Sequence, residues 1–160
     1  MNQIAEELKK IVAEYSVKLA DIPVDVYALT PSPKKWSKKQ ILGHLIDSAQ
    51  TNIRRFIIAQ YEDSPEIIYN QEQWVELSRY QEQELNDLIP LWALLNKHIC
   101  FILSGVNRSA SQKICKTNNQ TTHSLDWLAR VIIYNFILEK FTNYILVCKL
   151  SQLRLIHRQY

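Results

Sequence analysis

Hydrophobic side chains recur at the spacing of an α-helix in four segments of the chain. The first segment predicts a helix over roughly 2–20, because its apolar residues follow the i, i+3, i+4, i+7 rule: Ile4, Leu8, Ile11, Val12, Tyr15 and Leu19. A stretch with three prolines follows, and Ser37 is then a suitable cap for a second helix that runs to about Tyr61. The apolar stripe of this second helix consists of Leu42, Leu45, Ile46, Ala49, Ile53, Phe56 and Ile57.

The second half of the chain predicts two more long helices. A connection with one helical turn around Gln71 to Leu77 leads into the third helix, which should end near Gly105. Pro90 must either lie in the first turn of this helix or kink it. Its stripe consists of Leu85, Leu88, Ile89, Trp92, Leu95, Ile99, Ile102 and Leu103.

The fourth helix is the most apolar of the four. We expect residues 107–123 to form a polar loop, with the helix starting near Ser124 and continuing through Phe136. The segment "VIIYNFIL" at 131–138 has the composition of a strand, but its length and its flanks favour a helix. Because this helix is apolar nearly all round, it should be the most buried.

Four helices joined by long loops predict an all-α four-helix bundle. The chain has 160 residues, of which 47% are hydrophobic and 22% charged, as in an ordinary globular protein. No internal repeat or composition break divides it. We therefore predict a single domain over residues 1–160.

Composition excludes several classes of function. The net charge of +3 is small and acidic and basic residues are mixed, so a nucleic-acid interface is not expected. With only Gly43 and Gly105, no glycine-rich phosphate loop can be written. The three cysteines form no CxxC pair, and their sparse use fits reduced thiols and a cytoplasmic location. The polar N-terminus does not have the pattern of a signal peptide, and the most apolar stretch, at 131–138, is too short and too polar to span a membrane.

A row of polar residues borders the apolar stripe of the second helix. On a helical wheel the row consists of His44, Ser48, Asn52 and Arg55, and Asp47 lies one turn after the histidine. The simplest interpretation is a solvated helix face. Gly43 argues for a cleft instead, because a glycine inside a helix costs about 1 kcal/mol relative to alanine and is best tolerated where another group comes close.

The fourth helix carries a second polar pair. Asn135 and Glu139 lie one turn apart and so point the same way, and Thr142 extends the row. A carboxylate at this spacing can ligate a divalent metal, whereas a neutral amide is a poor ligand for zinc or nickel. The alternative is a buried polar pair that neighbouring side chains satisfy.

Two stretches of the sequence carry a family resemblance. "WSKKQILGHLIDSAQTNIRRF" at 36–56, followed by "EDSPEIIYNQEQWVEL" at 62–77, resembles the DinB/YfiT-like superfamily, in particular its branch of metal-dependent hydrolases and bacillithiol S-transferases. The match is close from Pro31 to Leu77 and continues weakly to "THSLDWLAR". The resemblance implies a four-helix bundle, often dimeric, that binds nickel or zinc through three histidines.

Only one of the three implied ligands is a histidine in this chain. His44 corresponds to the first, and the two positions of an H-x-x-x-H pair on the last helix fall on Asn135 and Glu139. Such a donor set would suit manganese or iron better than zinc, or the metal has been lost. His123 could substitute, but it lies about 18 Å along a helix from the asparagine.

The resemblance assigns further residues to the surroundings of the metal. Asp47, Asn52 and Arg55 would orient ligands or substrate, and Tyr69 and Trp74 would wall the pocket. A loop-anchoring role is equally consistent with the tryptophan.

Three functions remain open from the sequence. The first is a metal-dependent thiol S-transferase or hydrolase that uses a small thiol such as bacillithiol. The second is a catalytically inactive bundle that binds a small molecule or a protein. The third is a purely structural homodimer that buries one face of the fourth helix.

The departure from the family in the last helix has one further explanation. If Val131, Ile132 and Ile133 are encoded by GTG, ATT and ATA, a shifted frame reads Asp-Tyr, which is how relatives begin this helix. We hypothesise a frame disruption near Arg130 as the alternative to natural divergence.

Overall fold

The computed structural model describes residues 1–32, 35–117 and 121–133. Four long helices form the frame and correspond to the four predicted segments: α1 (Asn2–Ala20), α3 (Lys38–Ile58), α5 (Leu85–Gly105) and α7 (Leu125–Ile133). The connections contain shorter elements: α2 (Val24–Ala28), α4 (Gln71–Leu77), a 3-10 turn (Tyr80–Glu82), α6 (Arg108–Ser111), β1 (Ile114–Lys116) and β2 (Thr122–Ser124). The predicted continuation of the fourth helix, with Asn135, Phe136, Glu139 and Thr142, lies outside the described residues.

The architecture is a four-helix bundle, as the sequence predicts. α5 packs against both α1 and α3, and α7 packs against α1. The buried side chains of the described residues form a hydrophobic cluster to which every long helix contributes, and Leu8, Phe56 and Leu88 in it have no exposed surface. The assignment of all 160 residues to one domain stays a prediction.

The start of α3 is fixed by the predicted cap. Ser37 Oγ accepts a hydrogen bond from the backbone N–H of Gln40 at 3.1 Å, and the Gln40 side chain accepts one from the backbone N–H of Ser37 at 2.9 Å. This reciprocal pair satisfies two N–H groups that the first helical turn would otherwise leave without partners. Gln81 Nε2 also donates to Ser37 Oγ at 2.7 Å, which ties the 3-10 turn to the beginning of the helix.

α5 is a core helix that carries a proline in its second turn. Pro90 lies inside the helix, beyond its first turn. Within the described ranges, α5 alone is long and apolar enough to be a candidate membrane span by length and composition. However, 44% of its candidate window is buried within the fold, where it packs between α1 and α3.

The prediction of a polar loop over 107–123 is wrong in part. α6 and the antiparallel hairpin of β1 and β2 lie in this segment, with Cys115 opposite His123. In β1 the exposed Ile114 and Lys116 alternate with a buried cysteine, which is the period of a strand with one face against the core. The strands are only three residues long, and the turn-forming residues between them hid the alternation.

We predict that Ser37→Ala lowers the free energy of unfolding by roughly 0.5–2 kcal/mol, because the first turn of α3 loses its cap. Urea denaturation measures the change. Ser109→Ala is the control, since Ser109 is exposed in α6, and it should change stability by less than about 0.5 kcal/mol. Equal effects of the two substitutions would contradict a capping role for Ser37.

Candidate functional site

The polar row of α3 is buried. Its members are each at most 8% exposed: His44, Asp47, Ser48, Thr51, Asn52 and Arg55. The interpretation of His44 as a residue on a solvated face is therefore wrong, because its side chain is 1% exposed. The loop after α3, α4 and the 3-10 turn lie against α3, so this helix is covered on its polar as well as its apolar side.

Gly43 makes room for an aromatic ring. A Cβ atom at this position would lie 2.0 Å from Cδ2 and 2.3 Å from Cγ of Tyr80, closer than any real contact. The ring therefore packs directly on the helix backbone, and this close approach explains a glycine in the interior of α3. From there the Tyr80 hydroxyl donates a hydrogen bond to Oδ1 of Asp47, one turn along the helix.

An aromatic ring also contacts His44. The centroid of the Trp36 ring lies 5.1 Å from that of the imidazole, with an angle of 41° between the planes. Trp36 immediately precedes the cap of α3. Its ring therefore packs beside the buried imidazole.

The carboxylate of Asp47 is buried and only half satisfied within the described part of the chain. Oδ1 accepts the hydrogen bond from Tyr80, but no described residue donates one to Oδ2. Burial raises the pKa of Asp47, and the bond from Tyr80 opposes that rise. A buried acceptor without a donor is costly, so this oxygen is positioned to bind a cation or a donor group.

Arg55 lies at the other end of the row. Its Nε and Nη2 donate to the carbonyl oxygen of Ile67 at 3.1 and 2.8 Å, and its Nη1 donates to Oδ1 of Asn52 at 3.2 Å. Asn52 in turn donates to Oγ of Ser48 at 3.2 Å. Burial lowers the pKa of Arg55, although nearby Cys115 and Tyr69 act in the opposite direction.

Tyr69 connects the two ends of the row. Burial and the charge of Asp47 raise its pKa to about 12, while Arg55 and a hydrogen bond with Ser48 act against the rise. The phenol therefore stays protonated at neutral pH and can donate a hydrogen bond. Trp74 packs edge-on against Tyr69, with ring centroids 5.2 Å apart, so it supports this side chain.

Two cavities adjoin α3. One has a volume of about 200 Å³ and is lined by Ser48, Asn52, Arg55 and Tyr69 from one side and by residues of α7 from the other. The second is larger, with a volume of about 660 Å³, and lies between Trp36, Gln40, Tyr80 and α4. Trp74, predicted to wall a pocket, lines neither of these two cavities.

The structure brings together only part of the predicted metal site. Asn135 and Glu139 lie outside the described residues, so their distance from His44 stays open. Within the three described ranges, no group of three or more His, Cys, Asp or Glu side chains could hold a metal ion. His123 stacks on Trp127, with ring centroids 3.5 Å apart, and lines the smaller cavity.

Three contacts of the site were not predicted from the sequence. The ring of Tyr80, the ring of Trp36 and the carbonyl of Ile67 all reach α3 from segments without a helical period. Gly43 was the signal for the first of these. Nothing in the sequence signals the other two.

The fold defines a class of protein, a four-helix bundle with a buried polar face on its second long helix. It is similar to the structure of YfiT from Bacillus subtilis, described as a probable metal-dependent hydrolase with an unusual four-helix bundle topology. The TM-score is 0.74 at 18% sequence identity, and the match covers 84% of this chain and 78% of that chain. The similarity confirms the predicted DinB/YfiT-like fold. No protein-family model and no curated protein matches the sequence.

We predict that Gly43→Ala destabilises the protein by roughly 1–3 kcal/mol, because the new methyl group displaces the Tyr80 ring and this overpacking outweighs the gain in helix propensity. Thermal and urea denaturation measure the change. Gly105→Ala is the matched control, since no atom lies within 4 Å of the place its methyl group would take and the ring clash is absent. In Tyr80→Leu protein the penalty of Gly43→Ala should shrink, and an unchanged penalty would refute the ring contact.

We predict a pH-dependent difference in stability between wild type and Asp47→Asn, measured on metal-free protein. Because burial raises the folded-state pKa of Asp47, the proton-bound form favours folding. Wild type should therefore be most stable relative to the variant below the unfolded pKa of about 3.9, and lose that advantage as pH rises through the folded pKa.

Urea denaturation from about pH 3 to about pH 7 measures this difference. Asp63→Asn removes an exposed carboxylate instead and controls for the change in net charge. A wild type that gains stability over Asp47→Asn with rising pH would contradict the raised pKa.

Proposed function

We propose that this protein is a metal-dependent enzyme of the DinB/YfiT type, a hydrolase or thiol S-transferase with its metal site built around His44. The observation that carries the proposal is the burial of His44 on α3, one turn from a buried carboxylate oxygen that lacks a donor in the described part of the chain. Side chains three residues apart on a helix lie on neighbouring positions of one face. The similarity to YfiT supports the same proposal.

The described residues fit a divalent cation as part of a ligand set. His44 would bind it as a neutral imidazole, Asp47 would face it with Oδ2, and Asn135 and Glu139 would complete the set. Oxygen donors would outnumber nitrogen in this site, which favours manganese or iron over zinc and nickel. A metal in such a site would supply an activated water or thiol as the nucleophile.

The surrounding residues prepare these ligands. Trp36 packs beside the imidazole, and Tyr80 holds the carboxylate of Asp47 through a hydrogen bond to Oδ1, which leaves Oδ2 for another partner. Gly43 permits this arrangement because it leaves space for the Tyr80 ring. Hydrogen-bond partners of this kind orient metal ligands and raise affinity.

A catalytically inactive binding module is the second candidate. It is favoured by the asparagine and glutamate at the positions where the resemblance implies histidines. In that case the buried row of α3 would serve binding alone. The thiol substrate and the homodimer belong to the first proposal and rest on the resemblance. The cytoplasmic location rests on the sparse use of cysteine.

We predict that purified, metal-depleted protein takes up one equivalent of manganese or iron, and that His44→Ala weakens uptake by about 10-fold or more. Equilibrium dialysis with elemental analysis measures the stoichiometry and affinity of metal binding, and nickel and zinc are tested in parallel. His98→Ala is the matched control, because His98 is exposed on α5, and it should bind as wild type does.

Two further outcomes decide between the candidates. Asn135→His should shift the preference towards zinc if position 135 faces His44. If the wild type takes up none of the four metals, the enzyme proposal fails and the binding module is the better account.

A further inference from the structure

The buried guanidinium of Arg55 carries a charge that no described carboxylate balances. Arg55 is only 8% exposed. Its guanidinium donates to the backbone carbonyl of Ile67 and to the amide oxygen of Asn52, and both of these acceptors are neutral. The ion pairs within the described ranges involve other residues. A buried cation without a counter-charge is costly, so a site of this kind is completed by an anion.

The guanidinium has donors left for such an anion. Arginine carries five N–H groups, and three of them are used by Ile67 and Asn52. One N–H on Nη1 and one on Nη2 remain. Each of them can donate a charge-assisted hydrogen bond to an oxygen of a carboxylate.

The cavity beside Arg55 has one polar and one apolar wall. Ser48, Asn52 and Tyr69 line it from α3 and the following loop, and Thr117 lines it next to the hairpin. From α7 the lining residues are Trp127, Leu128, Val131 and Ile132. A ligand in this volume of about 200 Å³ therefore has a polar head against α3 and an apolar part against α7.

We propose that this cavity binds a small organic monocarboxylate with a short apolar tail, with its carboxylate on Arg55. A single permanent cation among the described lining residues matches one negative charge, and so favours a carboxylate over a phosphate dianion. Arg55 follows His44 by 11 residues, roughly 16 Å along the helix, so a carboxylate on this guanidinium does not need a metal at His44 as its ligand.

Butyrate and butyramide provide a matched pair of probes, because they share a shape and differ in charge. In an NMR titration of the full chain, butyrate should bind with one-to-one stoichiometry and butyramide should not bind. Arg55→Gln should weaken butyrate binding about tenfold or more, because it removes a charge-assisted pair of hydrogen bonds. Arg54→Gln removes the same charge from the exposed neighbouring position and should bind butyrate as wild type does.

A second variant keeps the test independent of the structural role of Arg55. Val131→Trp fills the cavity from α7 and leaves the hydrogen bonds of the guanidinium in place, so it should abolish binding in a folded protein. Three results would overturn the proposal: equal binding of the two probes, full butyrate binding by Arg55→Gln, or no butyrate binding by wild type. The last result would mean that a carboxylate of the chain itself balances Arg55. Tighter binding of inorganic phosphate than of butyrate would overturn the choice of a carboxylate.

Discussion

The structure depends on one constraint, the burial of a helix that is polar on one side and apolar on the other. α3 turns its apolar stripe towards α5, and segments outside the four long helices cover its polar row. Every polar group enclosed in this way needs a partner, because an unsatisfied one costs several times what a hydrogen bond contributes. Tyr80 supplies a partner for Oδ1 of Asp47 at one end of the row and the carbonyl of Ile67 supplies one for Arg55 at the other, and both contacts also hold their own segments on the bundle.

This constraint separates what the sequence could predict from what it could not. The bounds of α1 and α5 follow from periodicity and stop signals, and the start of α3 follows from its serine cap, because these signals are local. The wheel placed His44 beside the apolar stripe, but whether that edge was covered depended on residues far away in the chain. Tyr80 lies 37 positions after Gly43 and reaches it from a short 3-10 turn that carries no period of its own.

The hairpin of β1 and β2 is a second part of the fold that local sequence signals did not predict. Its strands have three residues each, too few for an alternation to stand out among the surrounding polar residues. The pairing instead depends on tertiary contacts: Cys115 is fully buried, and the loop after α3 adds hydrogen bonds to β1 through Lys116. For the candidate metal site, His44 and Asp47 were predicted from the sequence, whereas their burial is visible only in the structure.

The main-chain hydrogen bonds of Ile67 limit which substitutions and insertions the chain tolerates at this position. Its N–H donates to the carbonyl of Lys116 at 3.0 Å, and its carbonyl accepts both bonds from Arg55. One residue therefore joins the hairpin to α3 through its main chain, whatever its side chain is. Other apolar residues would be admissible here, but proline would not, because it has no N–H to donate. An insertion just before this residue would move its carbonyl away from Arg55 and its N–H away from Lys116, and so would break both connections.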